Sequence, residues 1–441
     1  MSELVRAPLP GSVRRGYALG GVATGAFGTV PGLMLLPYLT ERLGVPAALA
    51  GVIVFAPKAW DVILNPIAGR ISDNSHHPAG PRRPFLLRAG LTLAVAFALL
   101  FAGPATPQAL AAGWVAVLFL ACATAYAFFQ VPYVAMPAEL TDDPNERTRL
   151  MSWRVAVLAL AILVSGGLAP MVRNTVGPER GYAAMGLFVA VLIAAGAIGA
   201  WWGTRAAPVA VVPAAPGGLR SQLALVAGNP DFRSLLITFV IQALATGAML
   251  AGVDYVARHV LRSAGAGSLL FVCFVAPAIA CTALWERVGA RVGKKRGYAA
   301  ASLVLAAGAL ALTSARSVPS VVVFLAVAVV GVGYAGTQMF PLAMLPDVAA
   351  EDAERSGANR VGVFTGVWTA GETLGMALGP FVYGLALAAG GYVSSTDSAA
   401  VQPESAVLAI VLGFSIVPAL LTVGSLFILQ GYLGPLARGK P

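Results

Sequence analysis

The chain has 441 residues, 58% of them hydrophobic and only 11% charged, with a mean hydropathy of +0.81. Soluble domains carry about 25% charged residues, so this composition excludes an ordinary soluble enzyme or binding module and indicates a polytopic membrane protein. The net charge of +10 does not indicate a nucleic-acid partner, because the basic residues sit in short loops between apolar runs.

A membrane-spanning helix needs roughly 20 mostly apolar residues, and twelve runs meet that length. Met1 to Arg15 is polar and basic, and the first run follows at full spanning length with no small-residue cleavage pattern. This predicts a retained signal anchor. The runs of the first half cover 17–39, 46–69, 85–104, 109–136, 151–172 and 182–204. Those of the second half cover 233–257, 267–285, 297–315, 319–345, 361–389 and 404–432. The eighth is interrupted by Pro277. Strict alternation of apolar and polar residues is not the pattern, which argues against a β-barrel. The expected fold class is an all-α membrane protein.

Between the sixth and seventh runs lies a stretch rich in Ala, Pro, Val and Gly, too broken by proline to span. It predicts a flexible cytoplasmic linker over 205–232, between an amino-terminal six-helix bundle (1–204) and a carboxyl-terminal one (233–441). The halves echo one another. Gly69-Arg70-Ile71-Ser72-Asp73 and Gly80-Pro81-Arg82-Arg83-Pro84 follow the second run, and Glu286-Arg287-Val288-Gly289 and Gly293-Lys294-Lys295-Arg296 follow the eighth, as a duplicated bundle would show. With the amino terminus placed inside, 22 Lys and Arg residues fall on the interior side and six outside. That bias predicts two cytoplasmic termini and hence an even number of spans.

The second run contains Lys58-Ala59-Trp60-Asp61, then Asn65-Pro66. A charge at mid-membrane costs roughly 2.5–3.5 kcal/mol on insertion scales, so such residues imply either a buried pair that fixes packing or an aqueous pathway. Lys58 and Asp61 are three apart and share one helix face with Asn65. A cavity-facing pair that couples a cation to helix movement is the sharper of the two readings. In the fourth run Gln130 and Tyr133 share a face beside Pro132 and Pro137, so they could hydrogen-bond a polar solute or serve as glue between helices. In the eleventh run Trp368 and Glu372 are four apart and share a face, with Thr369 and Thr373 beside them, and Glu372 is a second intramembrane acid, either bonded to a neighbouring helix or open to the pathway. At the cytoplasmic mouth, Asp347 with Glu351, Asp352, Glu354, Arg355 and Arg360 reads as an ionic latch. Arg154 is a candidate partner of Asp61 or Glu139, and Asp254 with Arg258 of a gate or surface pair. Cys122, Cys273 and Cys281 lie in apolar runs and form no disulfide framework. Three histidines are too few and too scattered for a metal site. With no phosphate-binding Gly-Lys-Ser/Thr loop and no visible acid, base and nucleophile cluster, an enzyme is not expected.

These pieces together resemble the major facilitator superfamily, and within it the glycoside–pentoside–hexuronide:cation symporters, the melibiose-permease-like group. The matching residues are Lys58-Ala-Trp60-Asp61…Asn65-Pro66…Gly69…Asp73…Gly80…Arg83-Pro84, then Val131-Pro132-Tyr133…Glu139-Leu-Thr141…Glu146-Arg147-Thr148…Arg154. Asn229-Pro-Asp-Phe232-Arg, Leu345-Pro-Asp347-Val and Gly362-Val-Phe364…Trp368-Thr-Ala-Gly-Glu372 complete them, so the likeness runs along nearly the whole chain.

The resemblance implies the major facilitator fold, two six-helix bundles around a central cavity, with alternating access by rocking. It implies a secondary transporter of a sugar, glycoside or related small organic solute, working as a monomer in the inner membrane, with the solute and the lipid bilayer as its partners. For cation coupling it points to Asp61, Lys58, Asn65 and Glu372. For the solute it points to Gln130, Tyr133, Trp368, Thr369, Thr373 and Gly25, and for a cytoplasmic gate to Asp73, Arg83, Glu139, Arg147, Arg154, Asp347 and Arg360. Asp61 matches the family's first helix-two acid. The second acid appears as Asn65, the helix-four acid as Gln130, the helix-eleven lysine as Thr373 and the sugar-holding helix-one acid as Gly25. Sodium favours several hard oxygens and negative charge, and these neutral replacements make a thin site for it. A proton needs one acid, so no cofactor is expected beyond a coupling proton. The alternatives are an exporter of drugs or lysolipids on the same fold, and a receptor or scaffold that has lost transport.

Overall fold

In a computed structural model, residues 9–75, 77, 80, 82–141, 143–205, 228–263, 265–356, 361–396 and 401–433 are described. Among them the structure is helical and contains no strand. In lipid every backbone N–H and C=O must be paired within the chain, and an uninterrupted helix does this locally.

Unit 1 comprises Met1–Pro31, Trp60–Pro104 and Gly113–Pro216, and unit 2 comprises Gly32–Ala59, Ala105–Ala112 and Gly217–Pro441. The helices of the first half are α1 (Gly11–Pro37), α2 (Ala47–Asp73), α3 (Arg83–Leu100), α4 (Gln108–Ala135), the short α5 (Pro137–Leu140), α6 (Pro144–Val176) and α7 (Gly181–Thr204). A wider turn, Tyr38–Arg42, continues α1. The carboxyl end of α1, the first half of α2 and the start of α4 thus belong to unit 2. The second half holds α8 (Pro230–Tyr255), α9 (Ala266–Ala280), α10 (Thr282–Val292), α11 (Lys294–Ala311), α12 (Ser320–Ser356), α13 (Val361–Ala389), α14 (Glu404–Phe414) and α15 (Ile416–Leu429). Of the linker expected over 205–232, residues 206–227 lie outside those described.

Among the described residues, eleven helical spans are long and apolar enough to cross a membrane. The pair α9 and α10, bent by 47° between them, makes a twelfth if it counts as one span. Pro277 lies one turn before the bend, and the Cys281 N–H bonds back to its carbonyl at 2.9 Å. Proline donates no N–H to the preceding turn, and this weakens the helix where it turns.

Small residues set the packing. In unit 1 a side chain added at Gly16 of α1 would come within 2.3 Å of the Gly203 backbone of α7, and the reverse holds at Gly203. In unit 2 a Cβ at Gly379 of α13 would meet the Gly247 backbone of α8 at 2.3 Å. Such glycines let helix axes approach closely enough for dispersion to act where water is absent. Aromatic rings fill the remaining space. Phe27 packs against Tyr126, Phe97 and Phe119 in unit 1, and Phe239 against Trp368 in unit 2. Asn229 starts α8 by accepting the Phe232 N–H at 3.0 Å, with Pro230 in the first turn, where a missing N–H does no harm.

Candidate functional site

Three polar constellations stand out, each within one unit. In unit 1, Asp61 lies in the middle of α2 and is only 3% exposed. Asn65, one turn on, is half-buried; Lys58 is half-buried too, but lies on the stretch of α2 that belongs to unit 2. Pro66 has no N–H for the carbonyl of residue 62, which loosens the helix beside this stripe.

Across unit 1, α1 and α4 hold each other through reciprocal bonds. The Tyr133 hydroxyl donates to the Tyr17 carbonyl at 2.8 Å, and the Tyr17 hydroxyl to the Tyr133 carbonyl at 3.3 Å. Tyr133 is fully buried, its ring against Tyr17 and Phe129, with the Arg154 guanidinium 5.3 Å from its centre. The face of an aromatic ring is electron-rich, so a cation is stabilised there. Arg154, expected near Asp61 or Glu139, is thus placed over Tyr133. One turn earlier on α4, Gln130 accepts at its Oε1 from the Thr24 hydroxyl at 2.8 Å. With that oxygen occupied, the amide N–H groups remain to donate to a hydroxylated solute. Gly25 is buried against α6, where a Cβ would lie 2.9 Å from the Ala161 Cβ and 3.0 Å from the Leu158 carbonyl oxygen. An acid at this position would therefore meet a neighbouring helix.

In unit 2, Trp368 is buried in the core, stacked on Phe239 with ring centres 4.4 Å apart. Thr369 is exposed, and its hydroxyl donates to the Thr365 carbonyl at 3.0 Å. Glu372 and Thr373 are half-buried one turn further along α13. Glu372 lies within electrostatic reach of Tyr334 on α12, whose ring packs on Phe274 of α9 at 4.9 Å.

The gate residues divide between the units. In unit 1, Glu139 pairs with Arg82 at 3.1 Å, and Arg82 also donates to the Ala135 carbonyl at 2.5 Å. Arg83, within electrostatic reach of Glu139, donates to the Arg205 carbonyl at 3.2 Å, and Arg147 to the Thr141 carbonyl at 2.8 Å. Asp73 closes α2. In unit 2, Asp347 pairs with Lys294 at 2.6 Å, while Glu351 holds Arg355 within α12. Arg360 lies outside the described residues.

A third cluster, also in unit 2, contains the Asp254–Arg258 pair expected from its spacing, but sequence reasoning missed its centre, Glu41. Glu41, at the end of the turn that continues α1, pairs with Arg258 at 3.3 Å and His259 at 3.1 Å, and accepts from the Tyr392 hydroxyl at 3.2 Å. Arg258 also holds Asp254 at 3.0 Å, and the Thr40 and Tyr255 hydroxyls meet at 2.6 Å. Burial, reinforced by the neighbouring Glu41 carboxylate, pushes the Tyr392 phenol up, so it stays a donor. Local spacing announces only the Asp254–Arg258 pair; Glu41 and Tyr392 join it from segments more than a hundred residues away. Thr24, Arg82 and Lys294 were equally hidden, since each is one of several similar residues in its stretch.

Residues 16–433 match the family described as MFS/sugar transport protein. The chain belongs to that family. Its relatives include a glucuronide carrier protein homolog of Escherichia coli (strain K12), 25% identical over 91% of this chain and 88% of the relative. An inner membrane symporter of the same strain is 23% identical over 95% of this chain and 90% of its own. Among solved structures, a D-xylose-proton symporter superposes with a TM-score of 0.67 at 14% identity, covering 95% of this chain and 96% of the other, and so shares the fold. The protein is therefore a multi-pass membrane transporter of the major facilitator class, akin to the glycoside–pentoside–hexuronide:cation symporters, and carries out secondary active solute transport.

Proposed function

We propose that the protein imports a glycoside or a related small hydroxylated solute across the cytoplasmic membrane, driven by protons, with both termini cytoplasmic. The observation that carries this reading is Asp61, a carboxylate 3% exposed in the middle of a membrane-spanning helix. A charge there is expensive, and taking up one proton removes it, so protonation and the movement of α2 through the membrane are energetically linked. The neighbouring position holds neutral Asn65, which favours a proton over sodium. Recognition of a polyhydroxylated solute is assigned, within unit 1, to the amide donors of Gln130. The names of the carbohydrate-transporting relatives support this solute class. Weighed together, the relatives do not favour the exporter alternative, although a sphingosine-1-phosphate transporter of Mus musculus is among them.

The test uses proteoliposomes with an imposed proton gradient. Asp61→Asn is expected to abolish accumulation against a gradient while solute counterflow persists. Gradient-driven accumulation that survives in the variant would remove Asp61 from coupling.

A further inference from the structure

Helices α10 and α11 form a hairpin turned at Gly293, whose φ of +85° suits glycine. Residues 282–296 hold five cations, Arg287, Arg291, Lys294, Lys295 and Arg296, against the single acid Glu286. Two of the five are engaged inside unit 2. Lys294 donates to Asp347 and to the Ala343 carbonyl, and Lys295 donates to the Gln430 carbonyl at 3.1 Å. Arg287, Arg291 and Arg296 are exposed.

Their positions are ordered. Leu284, Arg287 and Arg291 fall three and four residues apart, along one face of α10. Leu303 and Arg296 are seven apart on one face of α11. Both leucines are exposed, which in a membrane-spanning pair means contact with acyl chains. Each stripe thus passes from leucine to arginine towards Gly293, the order in which a phospholipid presents its chains and its phosphate. An independent feature points to the same ligand. The first turn of α11 has no side-chain cap and no acidic residue. A helix amino terminus carries unpaired N–H groups and partial positive charge, which favour an anion. Lys295 and Arg296 in the same turn, beside a Lys294 that Asp347 already neutralises, add positive charge that an anion relieves.

We propose that this hairpin binds the phosphate of an anionic phospholipid. Arg287, Arg291 and Arg296 sit on the headgroup, and the acyl chains lie along Leu284 and Leu303. The bound lipid fixes the turn whose Lys294 holds Asp347.

The test is thermal unfolding of the full chain in neutral detergent, titrated with phosphatidylglycerol, phosphatidylcholine or inorganic phosphate. Phosphatidylglycerol is expected to raise Tm where the other two do not. Each arginine replaced in R287Q/R291Q/R296Q is expected to raise the half-effect concentration about fivefold. An equal response to both lipids, a matching response to inorganic phosphate, or an unchanged response in the triple variant overturns the proposal. Should that variant not fold, R296Q alone is titrated beside a variant with all three arginines changed to lysine. A fivefold weaker response in R296Q with a retained one in the lysine variant supports the site, and an unchanged R296Q overturns it.

Discussion

Thr24 is placed to fix the orientation of Gln130. Its hydroxyl takes the amide oxygen at 2.8 Å, so the N–H groups face one way only. One such bond is worth about 0.5–1.5 kcal/mol. If Gln130 binds solute as proposed, Thr24→Val, nearly equal in shape, raises the KM for uptake about threefold to tenfold and leaves the maximal rate close to the original. An unchanged KM, alongside a raised one in Gln130→Ala, would show that Thr24 plays no part in positioning. The polar residues of α2 and α4 were legible in the sequence, because a charge or an amide in an apolar run stands out from its neighbours. Their partners were not. Thr24 is one hydroxyl among many, and Gly25 is informative only once the Leu158 carbonyl is known to lie 3.0 Å from where its side chain would begin.

Helices in this protein meet at glycines and are fastened at their ends by charge. At Gly379 the neighbouring backbone of α8 leaves no space for a methyl group, whereas Gly424 of α15 has open space around it. Overpacking of this kind costs about 1–3 kcal/mol. Gly379→Ala is therefore expected to lower Tm clearly and Gly424→Ala to leave it nearly unchanged or raised, since alanine favours helix; equal shifts would show that α8 and α13 do not approach so closely. The charged fastening is graded in the same way. Glu41 serves three partners and is 15% exposed, while Glu404 serves Arg316 alone at 84% exposure. Removing Glu41 takes a charged, partly buried acceptor from Arg258, His259 and Tyr392 at once, and a hydrogen bond to a charged group is worth about 1.5–3 kcal/mol, against about 0–1 kcal/mol for an exposed pair. Unfolding midpoints of Glu41→Ala and Glu404→Ala test this order. The helices themselves were readable from run length, and the break in the eighth run from Pro277. Within the Glu41 cluster the Asp254–Arg258 pair was readable from its spacing, but Glu41 was not, because it lies at a run end more than two hundred positions before them.

At the scale of the whole molecule, the sidedness of the chain depends on how α9 and α10 are counted. If they form one bent span, the total is twelve and the termini share a side. If the pair enters and returns on one face, eleven spans remain and the termini lie on opposite sides. Two physical arguments favour the bent span. The basic residues divide 22 to 6 only when the parity is even. A re-entrant pair would also bring Arg287, Arg291 and the lysines after Gly293 to the same face as Arg258 and Arg262, removing most of that asymmetry. Reporter fusions therefore have a definite expected pattern. A fluorescent domain that matures only in the cytoplasm, attached after Pro441 or inserted at Gly293, is expected to be bright. A phosphatase that folds only outside is expected to be active when inserted at Ser263 and inactive at Gly293. Phosphatase activity at both Ser263 and Gly293 would make the pair re-entrant, leave eleven spans and refute the shared side of the termini.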